Sequence, residues 1–168
     1  TEPACAAHDW PDYADVRSRQ VQGAAMVRIM TGREPSLLRT WREALLSMQD
    51  PQTDLLVRPA SPWAQPLVEM GGHALTLYAL VTDFAATGDG RLRESARRMV
   101  RAMAPAWRRL WPTEQAQFAP GFTIKSLMAA ARHLEDGEAL EMARSCARSV
   151  LEETPLFEAD DTFRSGGH

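Results

Sequence analysis

Residues 67–107 read LVEMGGHALTLYALVTDFAATGDGRLRESARRMVRAMAPAW, and this stretch decides the fold. Its first half spreads Leu75, Leu77, Tyr78, Leu80, Val81 and Phe84 over every face of a 3.6-residue repeat. That pattern predicts a helix from about Leu67 to Ala86, buried on most sides. Thr87-Gly88-Asp89-Gly90 then reads as a tight turn. From about Arg91 to Trp107 the apolar residues narrow to one stripe, Leu92, Ala96, Met99, Val100 and Met103. Arg93, Glu94, Arg97, Arg98 and Arg101 fall off it, as on a helix with one wet face. Pro105 predicts a distorted last turn, because proline cannot donate to the helical ladder. An apolar helix, a short turn and an amphipathic helix make a helical hairpin.

Two further hairpins flank this one. The first pairs a helix from about Tyr13 to Met30 with one from about Pro35 to Met48, the latter striped by Leu38, Trp41, Leu45 and Met48. Pro11 and Asp12 are start signals and Gly32 is a stop. The third pairs Phe122–Leu134 with Glu138–Glu152 across Glu135-Asp136-Gly137. The turn glycines Gly32, Gly88 and Gly137 stand 56 (32 to 88) and 49 (88 to 137) residues apart. Each amphipathic helix leads into a long segment, 49–66, 108–121 or 154–168. Short turns therefore lie at one end and long loops at the other. The expected fold is all-α: three consecutive helical hairpins with alternating inner and outer helices, forming half of an (α/α) toroid or an open solenoid. Residues 1–168 read as a single helical-hairpin domain, part of a larger toroid.

Composition bounds the function. Of 168 residues, 45% are apolar and 24% charged, enough for a substantial core. A net charge of −3 provides no basic field for nucleic acid. The longest apolar run, Ala74–Val81, is interrupted by Thr76 and falls well short of the roughly 20 residues of a membrane span. No membrane partner is expected, and cytoplasm and exterior both remain open. The chain begins at Thr1, which reads as processed or trimmed. Lys125 is the one lysine among the basic residues, a bias that reads as genome composition, with arginine clusters for anions as the alternative. Cys5 and Cys146 lack CxxC spacing, and His8, His73, His133 and His168 lack i, i+4 partners, so no metal site is expected. No phosphate loop or dinucleotide motif occurs, and no cofactor is expected.

Particular segments resemble a known family. Asp12-x4-Arg17 opens a helix ending in Met30-Thr31-Gly32, and Ser47 to Leu56 reads SMQDPQTDLL. This resembles the Q-D-P-x-T-G-L loop of bacterial (α/α)-toroid proteins related to glycoside hydrolases, the largely uncharacterised group similar to β-L-arabinofuranosidases. Asp54 stands where that family usually has Gly. Gly72-His73-Ala74-Leu75 and Thr87-Gly88-Asp89 fit its second hairpin. Phe163 to His168 resembles the start of its Gly-His-x-His segment. The resemblance implies the N-terminal half of a larger domain and a carbohydrate-processing, glycoside hydrolase-like activity.

Candidate site residues gather at the long-loop end: His8, Asp9, Trp10 and Asp12; then Arg58, Trp63, Glu69 and His73; then Trp111, Glu114, Phe118, Phe122 and Lys125; then Asp160, Asp161, Arg164 and His168. Acids beside aromatic faces suit a sugar, since rings stack on apolar sugar faces and paired carboxylates act as acid and base or nucleophile. Asp12 and Glu69 form the first candidate catalytic pair, with Asp161 the third. Asp9, Trp10, Arg58, Trp63, His73, Trp111 and His168 are the substrate-binding candidates. Each also has a structural reading. Asp12 suits a helix N-cap, Glu69 suits a first helical turn, and His73 suits a hydrogen-bonded core position. The alternative function is a helical-repeat module for protein interaction or self-assembly, without catalysis. An incomplete ring would leave apolar flanks on its first and last helices, to be covered by self-association or by the remainder of the same domain.

Overall fold

In the computed structural model, residues 9–57, 70–110 and 120–153 are described, with side chains for 14–57, 70–108 and 120–152. They form six helices: α1 (Asp9–Thr31), α2 (Leu38–Leu46), α3 (Met70–Thr87), α4 (Gly90–Leu110), α5 (Pro120–Leu134) and α6 (Gly137–Glu153). Among the described residues, extended pairing is limited to one antiparallel bridge, Gln49 to Leu56. Consecutive helices pack as hairpins, α1 on α2, α3 on α4 and α5 on α6. The odd-numbered helices also pack in a row, with α3 between α1 and α5, while α4 touches α6. The helices α1, α3 and α5 form one row, here the inner row, and α2, α4 and α6 each pack on their own hairpin partner in it. One continuous core runs through it, from Val21 through Leu38, Leu77 and Met99 to Leu127 and Cys146.

Small residues let the inner helices approach closely. Ala14, Ser18, Val21 and Ala25 recur at steps of 4, 3 and 4 on α1 and are all buried. Gly72, Thr76, Ala79 and Asp83 do the same on α3. The two rows meet where the hydroxyls of Ser18 and Thr76 hydrogen-bond at 2.8 Å. A buried hydroxyl left alone would cost about 1–3 kcal/mol, so each satisfies the other.

Helix ends differ from the sequence expectation in instructive ways. α1 already includes Asp9 to Asp12, with Pro11 in its first turn, where the missing N–H costs nothing. Asp12 therefore lies inside the first turn and is not the cap; a carboxylate there is favoured by the helix dipole instead. α2 starts at Leu38 because Pro35 to Leu38 closes a tighter turn through Leu38 N–H to Pro35 C=O at 3.0 Å. α4 continues through Pro105 to Leu110, and α5 begins at Pro120.

The turns correct the repeat. Gly32 (φ 69°), Gly88 (φ 72°) and Glu135 (φ 54°) follow the last residues of α1, α3 and α5 in the left-handed conformation that ends a helix. The structural counterpart of Gly88 is thus Glu135, and Gly137 instead matches Gly90, the first residue of its outer helix. The hairpin offsets are 56 (32 to 88) and 47 (88 to 135). Thr31 and Thr87 close their turns identically, each donating its hydroxyl to the carbonyl four residues back and accepting the amide two residues on. Asp89 and Asp136 then cap α4 and α6, accepting the amides of Arg91 at 2.9 Å and Ala139 at 3.1 Å. The Arg91 guanidinium holds the Asp89 carboxyl below its ordinary range.

Candidate functional site

With offsets of 56 and 47, the inner helices can be compared position by position. Gln22, Tyr78 and Lys125 are equivalent, and so are Arg19, Leu75 and Phe122, one turn nearer the helix N-termini. All six are half-buried or exposed, whereas the positions turned toward neighbouring helices are buried. Gly71, Leu75, Tyr78, Thr82 and Ala85 recur at steps of 4, 3, 4 and 3 and form the open strip of α3. The inner row therefore has one open face. On it the Lys125 ammonium sits 4.4 Å from the centroid of the Tyr78 ring, a cation–π contact linking α3 to α5. On α1, Asp15 pairs with Arg19 one turn on. Among the described residues Asp15 supplies the carboxylate of this face, and Arg19 neutralises it. The face offers an aromatic ring, an ammonium, an amide and an ion pair, which suit binding of a polyhydroxylated ligand. Among the described residues it shows no pair of free carboxylates.

The loop from Gln49 to Val57 docks on the other side of α3. It is a compact turn. Asp50 N–H donates to Leu55 C=O at 2.8 Å, Asp54 N–H to Asp50 C=O at 2.8 Å, and the Thr53 hydroxyl and amide to the Asp50 carboxylate at 2.7 and 3.0 Å. The Thr53 hydroxyl, foremost, holds the Asp50 carboxyl below its ordinary value. Asp54 takes φ 57°, in the left-handed region where glycine is unstrained. Arg98 of α4 donates to its carboxylate at 2.9 Å, and Gln49 and Ser95 exchange hydrogen bonds beside it. Two buried anchors hold the loop and its hairpin. His73 Nε2 accepts the Leu56 amide at 2.9 Å. Arg42 of α2 grips the fully buried Asp83 carboxylate with one edge of its guanidinium, Nε donating to Oδ2 and Nη2 to Oδ1, the latter at 2.8 Å.

Of the catalytic and substrate-binding candidates, His73 is the one whose side chain is described. Its ring is buried and faces the loop, not the open strip, so it anchors the scaffold. The backbones of Asp9, Trp10 and Asp12 lie in the first turn of α1; their side chains lie outside the description. His8, Arg58, Trp63, Glu69, Trp111, Glu114, Phe118, Asp160, Asp161, Arg164 and His168 lie outside the described residues. Phe122 and Lys125 are both on the open face. Sequence reasoning missed Asp15, Arg19 and Tyr78. Among the described residues no three His, Cys, Asp or Glu side chains gather as a metal site would need, and no helix is long and apolar enough to cross a membrane. A separate cleft of about 600 Å³ opens between α4 and α6, lined by Trp107 and Met142 together with Arg101, Arg108, Glu138 and Glu141. It lies on the outer layer.

Compared with known protein families, curated proteins and solved structures, the chain matches none. The class defined by the structure is an all-α array of helical hairpins.

Proposed function

We propose that this chain is the ligand-binding half of a carbohydrate-processing, glycoside hydrolase-like helical protein. The observation that carries the reading is the open face of the inner row, where Tyr78 and Lys125 meet at the level of Gln22. An aromatic ring under an ammonium, flanked by an amide and an ion pair, offers a sugar a stacking surface and directional hydrogen bonds. The Gln49–Leu56 loop adds support. Asp54 adopts the left-handed conformation at the position where the resembling family usually carries glycine. In this reading Asp12, Glu69 and Asp161 supply the acid, base or nucleophile, with Trp63 and Trp111 stacking on the substrate.

The test is equilibrium binding and hydrolysis of a panel of arabinose-, galactose- and glucose-containing oligosaccharides. Tyr78→Ala is expected to weaken binding at least tenfold, and Asp12→Asn or Glu69→Gln to abolish turnover while binding persists. A folded chain that binds no glycan in the panel, or whose binding ignores Tyr78→Ala, overturns the reading.

A further inference from the structure

Three consecutive inner helices let each surface be compared with its repeat. On α1, Ala14, Ser18, Val21 and Ala25 are buried, and Ser18 bonds to Thr76 of α3. Their equivalents on α3 are Met70, Ala74, Leu77 and Val81, all buried again on the side that receives α5. One repeat further, the equivalents on α5 are Gly121, Ile124 and Met128. Here the pattern opens: Gly121 is exposed, Ile124 half-buried and Met128 48% exposed.

The reverse series behaves as a mirror. Thr123, Ser126 and Ala130 of α5 are buried, and so are Thr76, Ala79 and Asp83 of α3. One repeat back these become Gln20, Gly23 and Val27 of α1, preceded by Val16 as the equivalent of Gly72. Val16 is 48% and Val27 47% exposed, and a Cβ built on Gly23 meets nothing within 4 Å. Met30 widens this stripe with further exposed apolar surface.

The two ends of the inner row are thus the two complementary halves of an interface that the chain already makes twice internally. Both flanks are largely apolar, with Gln20 the polar side chain among them. We propose that a second copy of this chain docks head to tail, its α5 flank (Gly121, Ile124, Met128) on the α1 flank (Val16, Gln20, Gly23, Val27). The contact continues the α1–α3–α5 packing across the chain boundary. Because it joins two different surfaces it is heterologous, and it closes only if a small ring forms. Two copies supply six hairpins, and that ring would use both flanks of both chains. The inference is independent of the carbohydrate reading, since it uses none of the open-face residues.

The experiment is light scattering on the whole chain, on Val27→Glu, on Met128→Glu and on an equimolar mixture of the two variants. Both substitutions fall on exposed positions, and circular dichroism checks that the variants stay folded. The wild type is expected to be a dimer and each variant a monomer. The mixture is expected to regain one-to-one association, since each variant retains the flank the other has lost. A second readout uses the repeat of the Ser18–Thr76 pair, which falls at Gly121 of one copy and Gln20 of the next. Gln20→Cys mixed with Gly121→Cys should form an intermolecular disulfide at that pair, absent from either variant alone. A wild type that stays monomeric overturns the proposal and leaves the flanks to further hairpins of one polypeptide. A Met128→Glu variant that still dimerises, or a mixture that stays monomeric, overturns it in favour of a symmetric α1–α1 contact or of no specific contact.

Discussion

Asp83, wholly buried on α3, is held from both sides of its carboxylate by the guanidinium of Arg42 on α2. This pair ties the first hairpin to the second, and the hydrogen bonds to Asp83 raise the affinity of Arg42 for its proton. Position 83 is Val27 in the first repeat and Ala130 in the third, so the fold does not demand an acid there. Breaking one partner strands a buried charge at a cost of about 3–5 kcal/mol, whereas replacing both with apolar groups is often neutral. Asp83→Ala should lose stability on that scale in urea unfolding. Adding Arg42→Met should restore most of it. An undiminished loss in the double variant would show that the pair does more than neutralise itself.

Glu135 holds a left-handed conformation that its equivalents Gly32 and Gly88 adopt without a Cβ. A side chain in that region costs roughly 1–2 kcal/mol, partly offset by the extra chain entropy that glycine loses on folding. Glu135→Gly should therefore stabilise by about 1 kcal/mol, raising Tm by about 2–4 °C for a chain of this size. Gly32→Ala should do the opposite although its Cβ has open space, because the cost is conformational and not steric. Equal Tm values for Glu135→Gly and wild type would refute the strain.

The same residue explains what the sequence could and could not reveal. Helical periodicity and the three turns were legible, because apolar stripes and turn residues are local signals. The open face was not. Counting from Gly137 instead of Glu135 shifts the third repeat by two residues, which is about 200° around a helix. That shift pairs Tyr78 with the buried Leu127 and hides its true equivalent, Lys125. A non-glycine residue in the left-handed region leaves no mark in composition. The burial of His73 was legible as one of two readings, but its partner, the Leu56 amide, lies 17 residues away and becomes visible only once the loop folds back.

His73 makes that contact as an acceptor. Leu56 is buried, so its amide has no water to turn to if the ring is removed. His73→Phe preserves bulk and deletes the acceptor, and should cost about 1–3 kcal/mol. The loss should be local first. Hydrogen exchange at Leu56 and its loop neighbours is expected to accelerate more than exchange in α4 or α5. Uniform acceleration through the whole chain would mean that the histidine supports the core and not the loop.

Cys146 on α6 is wholly buried, and desolvation of its thiolate pushes the thiol up to about 12. An acid whose folded value is raised above its unfolded value of about 8.5 keeps its proton longer in the native state. The contribution to stability is then complete below about pH 8.5 and drains away as the pH climbs from there toward 12. Two measurements follow, both in a Cys5→Ser background so that one thiol reports. At pH 8 a thiol reagent should modify Cys146 only as fast as the fold opens, and denaturant should accelerate labelling in step with unfolding. Urea midpoints should also fall between pH 9 and 11 more steeply than in a Cys146→Ala variant, which lacks the titrating group. Rapid labelling of the native chain at pH 8 would place the thiol at the surface and contradict the packing of α6 against α5.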